Sequence, residues 1–154
     1  MAIRPATPAD RPLLERLLEF YLYDMAELYR FPIGPDARYA YDRLDQFWQH
    51  PYLLTVGEDL AGLALVIDSC PLTGRTPCWF MAEFFVMRAY RRTGLGQAAA
   101  RELIAAHPGA WHVGVIERNA AALAFWTRTL AMDAPSVSQL THDDEAWQLH
   151  ALTS

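Results

Sequence analysis

Glu83 and the run Arg91-Arg92-Thr93-Gly94-Leu95-Gly96 are the residues of this chain whose types and spacing could do chemistry. The two glycines open onto an apolar helical pattern. The first turn of a helix carries about four N–H groups with no intrahelical partner and roughly half a positive charge. Glycine has no Cβ, so a bulky anion can approach the main chain there, and Arg91 and Arg92 stand at the mouth to add full charges. The chemistry this predicts is the binding of a diphosphate. Upstream, Glu83 is the one carboxylate inside the apolar stretch Trp79 to Met87. Its neighbours Phe80, Met81, Phe84 and Phe85 predict a desolvated carboxyl with a raised pKa, suited to a general base. The competing reading is a strand-face carboxylate paired with an arginine.

Two known phosphate loops fit less well. A P-loop needs a lysine after its second glycine, and all thirteen basic residues here are arginine, with Gln97 at the relevant place. Gly94-Leu95-Gly96-Gln97-Ala98-Ala99 matches the dinucleotide fingerprint G-x-G-x-x-A, with Glu117 near the expected acidic position. In that fold, however, the glycines follow the strand almost directly. Here Arg88 to Thr93 intervene, and too little chain follows Ile116 for the second half of such a sheet.

Arg91-Arg92-Thr93-Gly94-Leu95-Gly96 resembles the R/Q-x-x-G-x-G/A signature of the GNAT superfamily of acyl-CoA-dependent N-acyltransferases, with an apolar strand before it as in that family. Asn119-Ala120-Ala121-Ala122-Leu123-Ala124-Phe125-Trp126 resembles the family's second motif, N-x-x-A-x-x-F-Y, with Trp in place of the usual Tyr. The two motifs stand in the family's order, each beside an expected strand, and the likeness covers nearly the whole chain.

The resemblance implies acetyl-CoA as co-substrate and acetyl transfer to a primary amine, most naturally of a small molecule, by direct attack in a ternary complex. It places the diphosphate on Arg91, Arg92, Thr93, Gly94, Leu95, Gly96 and Gln97, and the pantetheine arm on main-chain groups of Val86, Met87 and Arg88. It adds contacts from Asn119 and Trp126. It also implies that the strands at 79–87 and 111–116 splay apart, exposing amide groups to which an extended arm can add like another strand. A strand N–H near Phe85 or Val86 would then polarise the thioester carbonyl. Trp126 removes the tyrosine that the family often uses as acid towards sulfur, since an indole N–H donates a hydrogen bond but is no practical proton source. Trp126 therefore also reads, and reads better, as a packing residue of the last helix, and Asn119 also as the N-cap of that helix. The alternative function is an acyl-CoA-binding sensor or regulatory module without catalysis, and an NAD-binding oxidoreductase stands behind it. The family's acceptor pocket corresponds to Leu18 to Tyr41, where aromatic residues mix with Asp24, Glu27 and Asp36. That composition suits a cationic amine. A homodimer is compatible with this reading.

The elements that must position these residues follow from periodicity. A short strand at Ala2 to Arg4 precedes a helix capped by Asp10. Leu13, Leu14, Leu17, Leu18, Tyr21, Met25 and Leu28 recur at helical spacing to about Tyr29. A loop at Phe31 to Pro35 leads into a second helix expected over Ala37 to Trp48. Strands are expected at 52–56, 60–67, 79–87 and 111–116, with helices at 94–106 and 119–130 and a closing hairpin at 137–140 and 146–152. This is an α/β protein in one domain, residues 1–154, with a mixed sheet of about seven strands and about four helices.

Composition narrows the functions. The chain has 154 residues, is 53% hydrophobic and carries a net charge of −5. The charge argues against nucleic-acid binding, which needs clustered cations. No apolar run suits a membrane span or a signal core, so the expected compartment is the cytoplasm. Cys70 and Cys78 are expected as free thiols, and the scattered histidines predict no metal site.

Overall fold

In a computed structural model, which describes residues 1–154, eleven helices and strands follow one another along the chain. They are β1 (Ala2–Pro5), α1 (Arg11–Met25), α2 (Leu44–Phe47), β2 (His50–Val56), β3 (Asp59–Ile67), β4 (Trp79–Val86), α3 (Leu95–Ala106), β5 (Ala110–Ile116), α4 (Ala120–Leu130), β6 (Ser136–His142) and β7 (Glu145–Thr153). The strands form one sheet in the order β1-β2-β3-β4-β5-β7-β6. All neighbours are antiparallel except β4 and β5.

The alternation of β3 divides the interior in two. Leu63, Leu65 and Ile67 face α1 and α2, joining Leu14, Leu17, Leu18 and Phe47. Ala64 and Val66 face α3 and α4, joining Leu103, Ile104, Trp126 and Leu130. A strand covered on both faces reads as a continuous apolar run. Each fully buried leucine contributes roughly 2 kcal/mol by burial.

The parallel pair is short: Trp79 pairs with Trp111 and Phe80 with His112, and the ladder stops there. Just beyond, β4 carries a bulge against β3, where Leu65 pairs with Glu83 and Val66 with Met81, leaving Ala82 over. Bulges bend a strand and strengthen its twist, and here the bend coincides with the parting of β4 from β5. The splay expected between these strands therefore opens after Phe80 and His112.

Three sequence expectations are corrected. The first helix ends at Met25, not Tyr29. Its last turn has Asp24 and no basic residue, an unfavourable charge for a helix C-terminus. The chain then tightens into turns, with Leu28 and Tyr29 N–H both donating to Met25 O. The second helix shrinks from the expected 37–48 to Leu44–Phe47. Ala37 is left-handed, with φ 59°, and Ile33 bridges Tyr39 across the turn. Asp36 Oδ1 accepts from Arg38 N–H, while Glu19 Oε2 accepts from Tyr39 N–H at 3.1 Å. Side-chain acceptors thus take the N–H groups a helix would have used. Finally, Asp10 makes no side-chain cap bond to α1. Its carboxylate instead accepts from Thr7 N–H and from the Arg4 guanidinium, closing the turn between β1 and α1. Cys70 and Cys78 are buried free thiols. No helix is long and apolar enough to cross a membrane.

Candidate active site

The two glycines of the turn before α3 have different reasons to be glycine. Gly94 is the N-cap of α3 with φ +87°, and a Cβ there would meet only open space, so the backbone conformation is what requires it. At Gly96 a Cβ would lie 3.1 Å from Phe125 Cε2, so the missing side chain lets α3 approach α4. Thr93 Oγ1 donates to Tyr90 O and accepts from Leu95 N–H. The Leu95 side chain is buried with Leu54, Ala61 and Ala99. The N–H groups of Gly94, Gly96 and Gln97 donate to no group of the protein. These three donors, at the positive end of a twelve-residue helix, fit an anion.

The arginines divide their roles. Asp24, at the end of α1, takes both Arg88 and Arg91: Arg88 Nε donates to Oδ1 at 2.9 Å and Arg91 Nη2 to Oδ2. Burial alone would raise the Asp24 pKa, but the bonds from Arg91 and Arg88 offset it and hold the carboxyl below its usual range. Arg91 Nε also donates to Val86 O at 2.7 Å, and its guanidinium lies 5.5 Å from the centre of the Phe85 ring. Arg91 and Arg88 therefore clasp α1 to the end of β4. Arg92, left-handed at φ 62° and exposed, makes no ion pair and is the unpaired cation at the turn.

The phase of β4 assigns its main-chain groups. Met87 N–H donates to Ala61 O, towards β3. Because these groups alternate along an antiparallel strand, those of Phe85 also face β3, while those of Phe84 and Val86 face the gap. Val86 O is taken by Arg91. Val86 N–H, like that of Phe84, is thus a strand donor on the side of the splay, and the Phe85 N–H is not. Asn119 caps α4 by accepting from Ala122 N–H at 3.0 Å, and its Nδ2 lies 3.9 Å from Met25 Sδ. Trp126 is 6% exposed and packs edge-on against Phe84, 5.3 Å between ring centres, on the α4 side of the sheet.

Glu83 points to the opposite side, under α1. Tyr41 donates its hydroxyl to Glu83 Oε1 at 2.9 Å, and the Tyr21 hydroxyl also interacts with the carboxyl. Burial raises the Glu83 pKa; Tyr21, Tyr41 and the charge of Arg43 act in the other direction without cancelling it. The carboxyl's hydrogen-bond partner is Tyr41, not the arginine of the competing reading. Tyr29, at the end of the same layer, has its hydroxyl buried without a geometric partner. Its ring lies 4.0 Å from the Arg118 guanidinium, which pairs with Glu145. Two cavities flank α1. One of about 310 Å³ is lined by Glu15, Glu19, Asp36, Arg38, Tyr39 and Tyr41 among others. The other, about 250 Å³, includes Phe20, Tyr23, Phe85 and Met87.

Sequence reasoning missed Asp24 as the partner of two arginines and Tyr41 as the partner of Glu83. Charge complementarity hinted at the first. Nothing in the periodicity signals the second, because Tyr41 falls in the part of the expected helix over Ala37 to Trp48 that does not form.

Comparison with known proteins bears on this arrangement. The model of the Acetyltransferase (GNAT) family matches residues 19–132. Among curated proteins no relative matches the sequence. Solved structures share the fold. A GNAT-family acetyltransferase from Streptococcus agalactiae 2603 superposes with a TM-score of 0.73 at 15% identity, covering 99% of this chain and 95% of its own. A ribosomal-protein-alanine N-acetyltransferase from Brucella melitensis gives 0.66 at 16% identity, with 100% of each chain covered. The structure of yncA from Salmonella typhimurium with its cofactor acetyl-CoA gives 0.63 at 17%, covering 99% and 93%. The family uses acetyl-CoA as co-substrate. With a turn whose free N–H groups fit an anion, a splayed parallel pair and a matching domain model in one chain, the protein belongs to the GNAT acetyltransferase family.

Proposed function

We propose that this chain moves the acetyl group of acetyl-CoA to a primary amine of a small molecule, by direct attack in a ternary complex, with Glu83 as general base. The observation that carries the reading is the position of Glu83: a carboxyl at the bulge where β4 leaves β5, raised in pKa by burial and facing α1. Gly94, Gly96 and Gln97 N–H, with Arg92, would bind the diphosphate. Val86 N–H would receive the thioester oxygen, a type of contact worth roughly 3 to 4 kcal/mol in the transition state.

The co-substrate supplies a thioester carbonyl, an acyl carbon open to attack. An alkyl amine is neutral in only about one molecule in 2,500 at pH 7, so a base near the nucleophile matters. The amine nitrogen forms the new C–N bond, the C–S bond breaks, and Glu83 takes the proton that nitrogen gives up. The sulfur leaves as thiolate and takes a proton from solvent, since a thiol pKa lies only about 1.5 units above neutrality. The net charge of −5 and the acids beside α1 favour a cationic acceptor. A second reading, an acyl-CoA-binding module without turnover, is supported by Trp126, whose ring is packed in the α4 core where the family carries a tyrosine.

The test incubates the protein with acetyl-CoA and a panel of polyamines, aminoglycosides, amino acids and basic peptides, following thiol release. Release with a small cationic amine is expected. Activity confined to neutral or anionic acceptors defeats the charge argument. Silence across the panel with CoA still bound favours the binding module.

A further inference from the structure

We propose that Tyr41 is a positioning residue for acetyl transfer: its hydroxyl, 2.9 Å from Glu83 Oε1, fixes the carboxyl's orientation and stabilises its ionised form. The inference rests on Glu83 as the base and adds a residue that periodicity places in a helix and the fold places in an irregular segment. That segment is itself held. Glu19, on α1, accepts from Tyr39 N–H at 3.1 Å and from Arg38 Nε at 3.3 Å, and Gly34 N–H donates to Arg38 O. Tyr41 therefore reaches Glu83 from a turn anchored two residues away, and the anchoring carboxylate lines the 310 Å³ cavity beside α1 together with Tyr41. The wall of that cavity and the base are joined by one hydroxyl.

The groups facing Glu83 can be named from each element packed on it. They are Tyr21 from α1, and Tyr41 and Arg43 from the segment before α2. Asp42 lies near Tyr41 and Tyr29 near Tyr21. Burial favours the neutral acid, while a hydroxyl donating to the carboxylate favours the ion. With the Tyr41 hydroxyl removed, burial is less opposed and the carboxyl holds its proton to higher pH.

The test labels glutamate carboxyls with ¹³C and titrates Glu83 by NMR, its signal assigned by its loss in Glu83→Gln. Alongside, kcat/KM is measured against pH with the amine found active, or single-turnover thiol release if turnover is slow. In Tyr41→Phe the Glu83 midpoint is expected to rise by about one to two pH units, the size set by a hydrogen bond to a charged group. The acidic limb of the rate should move by the same amount while CoA affinity stays unchanged. Difluorotyrosine at position 41, a stronger donor, should move both downward, and serves if Tyr41→Phe does not fold. An unmoved midpoint overturns the proposal. So does a moved midpoint with an unmoved limb; there Glu83→Gln separates the causes, because a limb that survives in Glu83→Gln shows that the base reading has failed instead.

Discussion

At the turn before α3 the groups proposed to meet a ligand come from neighbouring residues, whereas under α1 they are assembled from distant ones. Gly94, Gly96 and Gln97 offer main-chain N–H donors within a single helical turn. Glu83 meets Tyr41 across 42 positions of sequence and faces Tyr21 on α1. A main-chain site needs only a backbone conformation, so a short motif can encode it. A side-chain site needs the whole fold to bring its members together. The first therefore tolerates change in most of its side chains, and the second depends on the identity of each.

The sharpest way to break the contrast is Gly94→Glu. A bulky residue at φ +87° is strained, and its charge repels phosphate. CoA affinity should fall on the order of 100-fold, read by calorimetry, while near-UV circular dichroism stays native. Unchanged affinity in a folded variant would remove the turn from the site.

The arginines should separate next. Arg91→Met breaks the clasp on Asp24 and Val86 O, so it should lower stability by roughly 1 kcal/mol, about 2 to 4 °C in Tm, with little change in CoA affinity. Arg92→Ala should do the reverse, with an unaltered Tm and CoA binding weakened about fivefold, less at high salt. If Arg91→Met weakened CoA more than Arg92→Ala, the division of roles would be wrong.

The smallest effect is expected at Trp126. Trp126→Phe keeps an aromatic ring against Phe84 and removes the indole N–H. If solvent protonates the leaving sulfur, kcat should change by no more than about twofold, and a loss of tenfold would give the indole a role at sulfur.

The legibility of the chain follows the same contrast. The strands, α3 and α4 are readable because alternation, glycine and the Asn119 cap act locally, whereas the splay is implied by the family resemblance and not by any local signal. Ala37 to Arg43 are not readable, since Tyr41 and Leu44 stand at helical spacing while the left-handed Ala37 and the hold of Glu19 on Tyr39 decide the backbone. In sequence Arg91 reads as a phosphate ligand and Arg88 as a main-chain contact to the pantetheine arm, because Asp24, the partner of both side chains, lies more than sixty residues earlier. The Gly96 requirement was legible as a glycine but not in its cause, which is the Phe125 ring on another helix.

The measurement that bears most directly on the account is the pH dependence of acetyl transfer in wild type and Glu83→Gln. Glu83 acts as a base only when ionised, and burial raises its pKa, so the wild-type rate should fall as pH drops through a midpoint above the ordinary carboxylate range. In Glu83→Gln the rate should be about 100-fold lower. That limb should be gone, leaving only the titration of the amine, with CoA affinity near normal. A variant with the wild-type rate and the wild-type limb would contradict the assignment and leave Glu83 as a half-buried carboxyl held by Tyr41.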